Sequence, residues 1–365
     1  MTEPLSTSSS NANVINQQDW FLVFIGSTFI VLVIILFFEN NLRTLHWTPT
    51  LIDNAELWAQ ERAKASQLSD KALILVGASR FQLGLDLHAL EEMSSKKPIQ
   101  LAIDGSNVFA VLKNLANDPS VMGNIILDLN EASLETLLVK DKSWDWVEAY
   151  EHKKQQPLYR FIDQKIDKLL LSYMVTRLEG AKPHKVIYDL ALKPKHQAKG
   201  NYLITNDNRS RDADYSKLAL PSFYLNRIIR NFGSTLPEEQ VRKFEFVIDA
   251  YEAAIPTLPQ GNLQNFEESL SVLISLLEKI ESRGVHVTIL RMPSSKLIWK
   301  MDQQRYPQDL FWKKVLLRHS ASFHFDDYSA LNSFDLPDGS HLDKKDKKKF
   351  TENLFLIIKP TLISP

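Results

Sequence analysis

The chain contains no cysteine. That excludes a disulfide framework, a thiolate zinc site, an iron–sulfur cluster and a cysteine nucleophile, while leaving the redox compartment open. Basic charge is not in excess either: Lys+Arg 43 stand against Asp+Glu 44, a formal net charge of −1 over 365 residues. A protein that grips nucleic acid by neutralising phosphates carries a basic surplus, so nucleic acid is not an expected partner. There is no glycine-rich phosphate loop, and no cofactor is expected. The histidines other than His341 show no metal-ligand spacing, so no metal is expected. His286 and His324 alternate with apolar residues in predicted strands and read as structural.

What is present is ordinary globular composition, 44% hydrophobic and 24% charged, with one exceptional segment. Trp20–Phe38 (WFLVFIGSTFIVLVIILFF) carries no charge and is apolar on every face. At a rise of about 1.5 Å per residue such a run matches a hydrocarbon core of roughly 30 Å. No Lys or Arg precedes it, and ENNLRT follows in place of a small-residue cleavage site, so an uncleaved single-span anchor in the lipid bilayer is expected rather than a signal peptide. Arg43 is the one basic residue close to either end, and taken literally it places the C-terminal body in the cytoplasm.

Residues 1–19 are polar and read as a disordered tail, and 39–70 as a juxtamembrane linker and helix. Short apolar runs then alternate with helical stretches: ALILVGAS (72–79), IQLAIDG (99–105), NIILDLN (124–130), VHVTILRMP (285–293) and SASFHFDDY (320–328), closed by the helix in KKDKKKFTENLFLII. Continuous apolar strands separated by helices predict an α/β domain over 71–365 with a parallel sheet covered on both faces. Between the third and fourth strands, about 131–280 reads as a large, mostly helical insertion, with a polar loop at Lys193–Ser216. Trp144 and Trp146 in that insertion either line a sugar groove or simply pack.

Ligands of open parallel sheets bind at the carboxyl ends of the strands. Three polar turns fall there: Gly77-Ala78-Ser79-Arg80, Asp104-Gly105-Ser106-Asn107, and Asp338-Gly339-Ser340-His341 before the last helix. An Asp three residues before a His can fold back onto one imidazole nitrogen and leave the other to accept a serine proton. Ser79, on a Gly-containing turn after a strand, is the candidate nucleophile, and the N–H groups of Ser79 and Gly105 are candidate oxyanion donors. Arg80 and Arg291 are candidates to hold an anionic or carbonyl group of a substrate, or else to tie loops together in ion pairs.

The blocks ILVGASRFQLGLD, AIDGSNVFAVLKNL and LPDGSHLDKKDKKKFTENL, in this order, resemble blocks I, II and V of the SGNH (GDSL-like) hydrolase superfamily. RGVHVTILRMPSS is similar to a strand those proteins carry before the final block. The likeness covers about half of the chain and leans toward bacterial membrane-anchored members, the polysaccharide O-acetylation and D-alanine transfer proteins. It implies a flavodoxin-like three-layer α/β/α core, with Ser79 as nucleophile, His341 as general base, Asp338 as its orienter and Gly105 in the oxyanion hole. It also implies a periplasmic or extracytoplasmic body, against the vote of Arg43, and a membrane-bound O-acyltransferase as partner. Two departures stand out. Gly-Ala-Ser replaces the usual Gly-Asp-Ser, and the Gly-x-Asn-Asp block is absent, leaving Asn130 or Asn107 as stand-ins for the oxyanion-hole asparagine. The expected function is a serine acyl-transfer protein, an O-acetyltransferase or esterase working on an envelope polysaccharide. The alternative is a non-catalytic partner of an envelope polysaccharide machine that has kept the fold.

Overall fold

The computed structural model describes residues 17–152, 158–175 and 200–362. The expected disordered tail lies largely outside them, as does the part of the polar loop before residue 200. Five strands form one parallel sheet: β1 (Ala72–Val76), β2 (Lys97–Gln100), β3 (Asn124–Asp128), and, after a hairpin of β4 (Leu203–Thr205) and β5 (Arg211–Ala213), β6 (Val287–Arg291) and β7 (Ser322–His324). Their order is β2-β1-β3-β6-β7, so the winding reverses between β1 and β3. All four pairings are parallel, with Ile74 opposite Ile99 and Ile125, and Leu127 opposite Ile289. The five strands are those expected from sequence. β2 begins and ends earlier than expected, yet the Leu101 and Ile103 N–H groups continue its hydrogen bonding onto Leu75 of β1 and Gly77 just after it.

The two-residue period of the strands divides the core. Ile74, Val76, Ile125, Leu127 and Ile289 face helices Ala55–Leu68, Phe109–Ala116 and Leu263–Glu281. Leu73, Leu75, Ile126 and Leu290 face Phe81, Leu90, Phe350 and Phe355 on the opposite side. Each such side chain, withdrawn fully from water, contributes roughly 1.5–3 kcal/mol before entropy is counted. Both ends of the 131–280 stretch join this core, through Leu134 and Leu137 at one end and Phe266, Leu270 and Leu273 at the other. Helices Leu220–Phe232 and Val247–Ala254 instead pack on Leu297, Ile298 and Met301, beside the carboxyl edge of the sheet.

The N-terminal helix runs from Gln17 to Thr44, and its Trp20–Thr44 part is long and apolar enough to cross a membrane. It continues past Phe38 because its polar end docks on the body. Glu39 accepts from the Val175 N–H at 2.9 Å, Arg43 donates to the Tyr173 carbonyl at 2.7 Å, and Leu42 and Leu45 are buried. The segment after it runs along the β4–β5 hairpin, with Leu51 N–H on the Thr205 carbonyl and Thr205 N–H on the Thr50 hydroxyl. That hairpin corrects the reading of 200–216 as a loop: two three-residue strands with mixed side chains carry no periodic signal. Trp146 carries both Lys142 and Arg209 against its ring, and Trp144 packs on Phe109 while also lining a cleft of about 590 Å³ with Lys113, Asp141 and Glu148.

Candidate active site

β1 ends at Val76, and through Gly77 and Ala78 the chain turns at once into the helix Ser79–Gly84. Gly77 is required by packing: a Cβ there would sit 2.8 Å from the Asp128 Cβ and 3.3 Å from the Phe81 ring. Ala78 occupies the helix-capping position and has no side chain to cap with. Ser79 is therefore the first helical residue, and its hydroxyl is not spent on the helix as a capping serine would be.

The Ser79 hydroxyl donates instead to His341 Nε2 at 2.9 Å. His341 Nδ1 lies 2.8 Å from Asp338 Oδ2, and because a carboxylate only accepts, Nδ1 carries the hydrogen and Nε2 is the acceptor. Asp338 Oδ1 takes the N–H groups of Ser340 (2.9 Å) and His341 (2.8 Å), which locks the turn that presents the imidazole. Gly339 makes this turn possible, with φ +78° and the side chain of Ile298 where its Cβ would be. The three residues singled out in the sequence are thus brought into one hydrogen-bonded chain.

The electrostatics suit a base. Burial raises the cost of charge on Asp338, but the His341 hydrogen bond and charge, Arg227 and the Ser340 N–H outweigh it and hold the carboxyl well below its usual range. Burial pushes the His341 imidazole down, Asp338 pulls it up, and Arg227 and Arg80 push it down again, leaving it below the ordinary value of 6.5. A neutral imidazole beside a charged carboxylate is the resting form a proton acceptor needs.

A cleft of about 180 Å³ opens over Ser79 and His341, lined also by Arg80, Gly105, Asn130 and Arg227. Gly105 sits in the turn after β2, where Arg211 Nη1 holds the neighbouring Asp104 at 2.9 Å. Asn130 caps the helix Glu131–Glu135: its Oδ1 accepts from the Ser133 N–H at 2.8 Å, and its Nδ2 makes no hydrogen bond among the described residues. Asn107 does not share the cleft. Its Nδ2 donates to the Thr136 carbonyl at 2.7 Å and its N–H to Asp141, so it is a strut between loops and not an oxyanion donor.

Arg291 takes the second of its two expected roles, the ion pair that ties loops together. It is 2% exposed and bonds Glu131 (2.9 Å), Asp302 (2.7 Å), the Met292 carbonyl (2.7 Å) and the Ser294 hydroxyl (3.1 Å). It ties the end of β6 to neighbouring elements, with four of its five N–H groups engaged. Arg80, in contrast, lines the cleft as expected.

Four residues were not singled out by sequence reasoning. Asp128, at the end of β3, is buried beside the Ala78 and Met292 N–H groups, and burial pushes its carboxyl up despite Arg80 and Arg291. Tyr215 directs its hydroxyl at Asp338. Arg227 lines the cleft with its Nε 3.6 Å from Asp338 Oδ2, and the buried Ser340 hydroxyl lines it beside His341. Tyr215 and Arg227 come from the insertion, where no local motif marks them. Compared with known proteins, the chain matches no family model and none of the curated proteins.

Proposed function

We propose that the protein is a membrane-anchored serine acyl-transfer enzyme with an SGNH-like, flavodoxin-like core. In this reading it moves or removes an O-acyl group, acetyl above all, on a cell-envelope polysaccharide. The observation that carries the reading is the Ser79–His341–Asp338 chain of hydrogen bonds at the carboxyl edge of a parallel sheet, beside the point where strand order reverses. The sheet order and the three sequence blocks agree with it, and the resemblance favours a body outside the cytoplasm with a membrane-bound O-acyltransferase as its supplier.

The chemistry follows from the geometry. His341 Nε2 takes the Ser79 proton as Oγ attacks the acyl carbonyl, and Asp338 stabilises the imidazolium that forms. The tetrahedral oxyanion accepts from the backbone N–H groups of Ser79 and Gly105 and from Asn130 Nδ2. Collapse expels the leaving alcohol, which receives the proton from His341. The acyl-serine then passes to a sugar hydroxyl or to water, deprotonated in turn by His341.

The test uses the full chain in detergent, a fluorophosphonate serine probe and p-nitrophenyl acetate. Covalent labelling and ester turnover are expected in the wild type and absent in folded Ser79→Ala and His341→Ala. Full activity in either variant refutes the mechanism, and no labelling of the folded wild type returns the weight to a non-catalytic envelope partner. A periplasm-specific reporter fused to the C-terminus is expected to be active, and silence refutes the extracytoplasmic body.

A further inference from the structure

Three arginines cluster at the carboxyl edge of the sheet, and they differ in how their donors are spent. Arg291 makes four hydrogen bonds, to Glu131, Asp302, Met292 and Ser294. Arg80 makes one among the described residues, at 3.3 Å to the Ser294 hydroxyl. Arg227 makes none among the described residues: its Nε is buried without a hydrogen-bond partner, and its nearest carboxylate oxygen, Asp338 Oδ2, stands 3.6 Å away and is already engaged by His341.

The two under-used guanidinium groups share one cleft with Ser79 and His341. They are close enough that each charge acts on the other and both act on the imidazole. The carboxylate in the lining, Asp128, is 5% exposed, turned toward the Ala78 and Met292 N–H groups, and forms no ion pair within 4.0 Å of Arg80 among the described residues; Asp302 also acts on the Arg80 charge, but its Oδ2 is held by Arg291 and Ser294. Two like charges held together in a partly desolvated cleft are unfavourable by themselves. They become favourable when a planar, doubly accepting anion bridges them, because guanidinium forks match carboxylate and phosphate oxygens in geometry as well as charge.

We infer that Arg80 and Arg227 form an anion subsite next to the nucleophile, and that it takes a carboxylate or phosphate group carried by the substrate. Naming that anion as part of an acylated or acyl-accepting sugar rests on the acyl-transfer reading; the subsite itself does not. The substrate class is then an acidic glycan, with the charged group of one residue clamped by the arginines so that a neighbouring hydroxyl or ester faces Ser79. Specificity arises from the same contacts, since a neutral sugar would leave both guanidinium forks unpaired in the cleft.

The experiment is equilibrium binding of D-galacturonate, D-galactose 6-phosphate and D-galactose to the full chain in detergent, carried out on the Ser79→Ala protein so that no turnover intervenes. One or both acidic sugars are expected to bind at least about tenfold more tightly than galactose, the factor that one charge-assisted hydrogen bond supplies. Arg227→Gln and Arg80→Gln should each reduce that preference by about tenfold, with Arg227→Lys recovering part of it as a point charge. The ranking of the two acidic sugars separates a carboxylate from a phosphate. Equal binding of acidic and neutral sugars, or a preference that survives both Gln variants in folded protein, overturns the subsite. Ester turnover together with equal binding would sink the subsite alone, whereas Arg227-dependent binding with an inert Ser79 would keep it and sink acyl transfer.

Discussion

Arg211 Nη1 holds Asp104 Oδ2 at 2.9 Å, one residue before Gly105. Its neighbour in the same hairpin, Arg209, is fully buried and donates to the carbonyls of Gln100 (2.7 Å) and Ala102 (2.9 Å) and to Asp53 (2.7 Å). The turn after β2 is therefore shaped by a hairpin about 107 residues further along the chain. Through Asp53 it is also tied to the segment that leads out of the N-terminal helix.

Loosening that turn should tax the transition state more than substrate binding, because an oxyanion donor is used only once charge develops. In Arg211→Gln, kcat for p-nitrophenyl acetate is expected to fall about tenfold with KM nearly unchanged. Asp104 is half-exposed, so the pair contributes little to folding, and the melting temperature should hardly move. Steady-state kinetics with a melt on the same sample checks both. A raised KM with normal kcat would mean that the turn binds substrate and has no part in the oxyanion hole.

The pH dependence follows from His341. Burial drives its imidazole below 6.5, Asp338 opposes, and Arg227 and Arg80 add to the lowering. The neutral form is the base, so activity is lost when the pH falls through the lowered value of the folded enzyme. kcat/KM is expected to stay flat from neutral pH past 6.5 and to decline only at more acid pH. Arg227→Gln removes one of the depressing charges and should move the inflection upward. A wild-type inflection at or above 6.5 would contradict this account.

Much of this was legible in the sequence because it is local. Strand cores such as ALILV and NIILD are continuous apolar runs, and Asp338 and His341 meet within one turn of four residues. Ser79 could be singled out because a glycine-containing turn after a strand is a local signal too. What the sequence left open or missed is of another kind. Arg291 and Asn107 carry the right chemistry in the right turns, but their partners, Glu131, Asp302, Thr136 and Asp141, are set by packing between distant segments. Arg227 and Tyr215 reach the site from helices and turns of the insertion whose own sequence serves another core.

Gly77→Ala tests how tightly the nucleophile turn is built. The new methyl meets the Asp128 Cβ at 2.8 Å, a backbone-proximal atom of a neighbouring strand that cannot swing aside. Relief requires β1 and β3 to part or Phe81 to shift, at a cost of about 1–3 kcal/mol. Ser79 begins the helix that Phe81 belongs to, so fluorophosphonate labelling should slow along with the drop in thermal midpoint. A variant as stable and as reactive as wild type would show that the contact is slack.

His324 predicts the acid limb of the stability curve. It is 1% exposed, stacked on Phe325 with centroids 5.0 Å apart, and edged by Trp299 and Trp312. Its Nδ1 accepts the Asp326 N–H at 3.2 Å, while Nε2 has no hydrogen-bond partner among the described residues and faces Glu131 at 3.8 Å. Burial first, and Arg291 second, push it down to about 3. The unfolded chain takes up this proton below about 6.5 and the folded protein does not until about 3, so stability is whole above 6.5 and declines across that window. One group contributes a slope of at most about 1.4 kcal/mol per pH unit. His324→Phe keeps the ring and cannot titrate, so its thermal midpoint should fall less steeply than wild type between pH 6.5 and 4, even though loss of the Asp326 contact lowers it at pH 7. Parallel curves for the two proteins would mean that Glu131 accepts the proton's charge and that His324 titrates in the folded state as freely as in the unfolded chain.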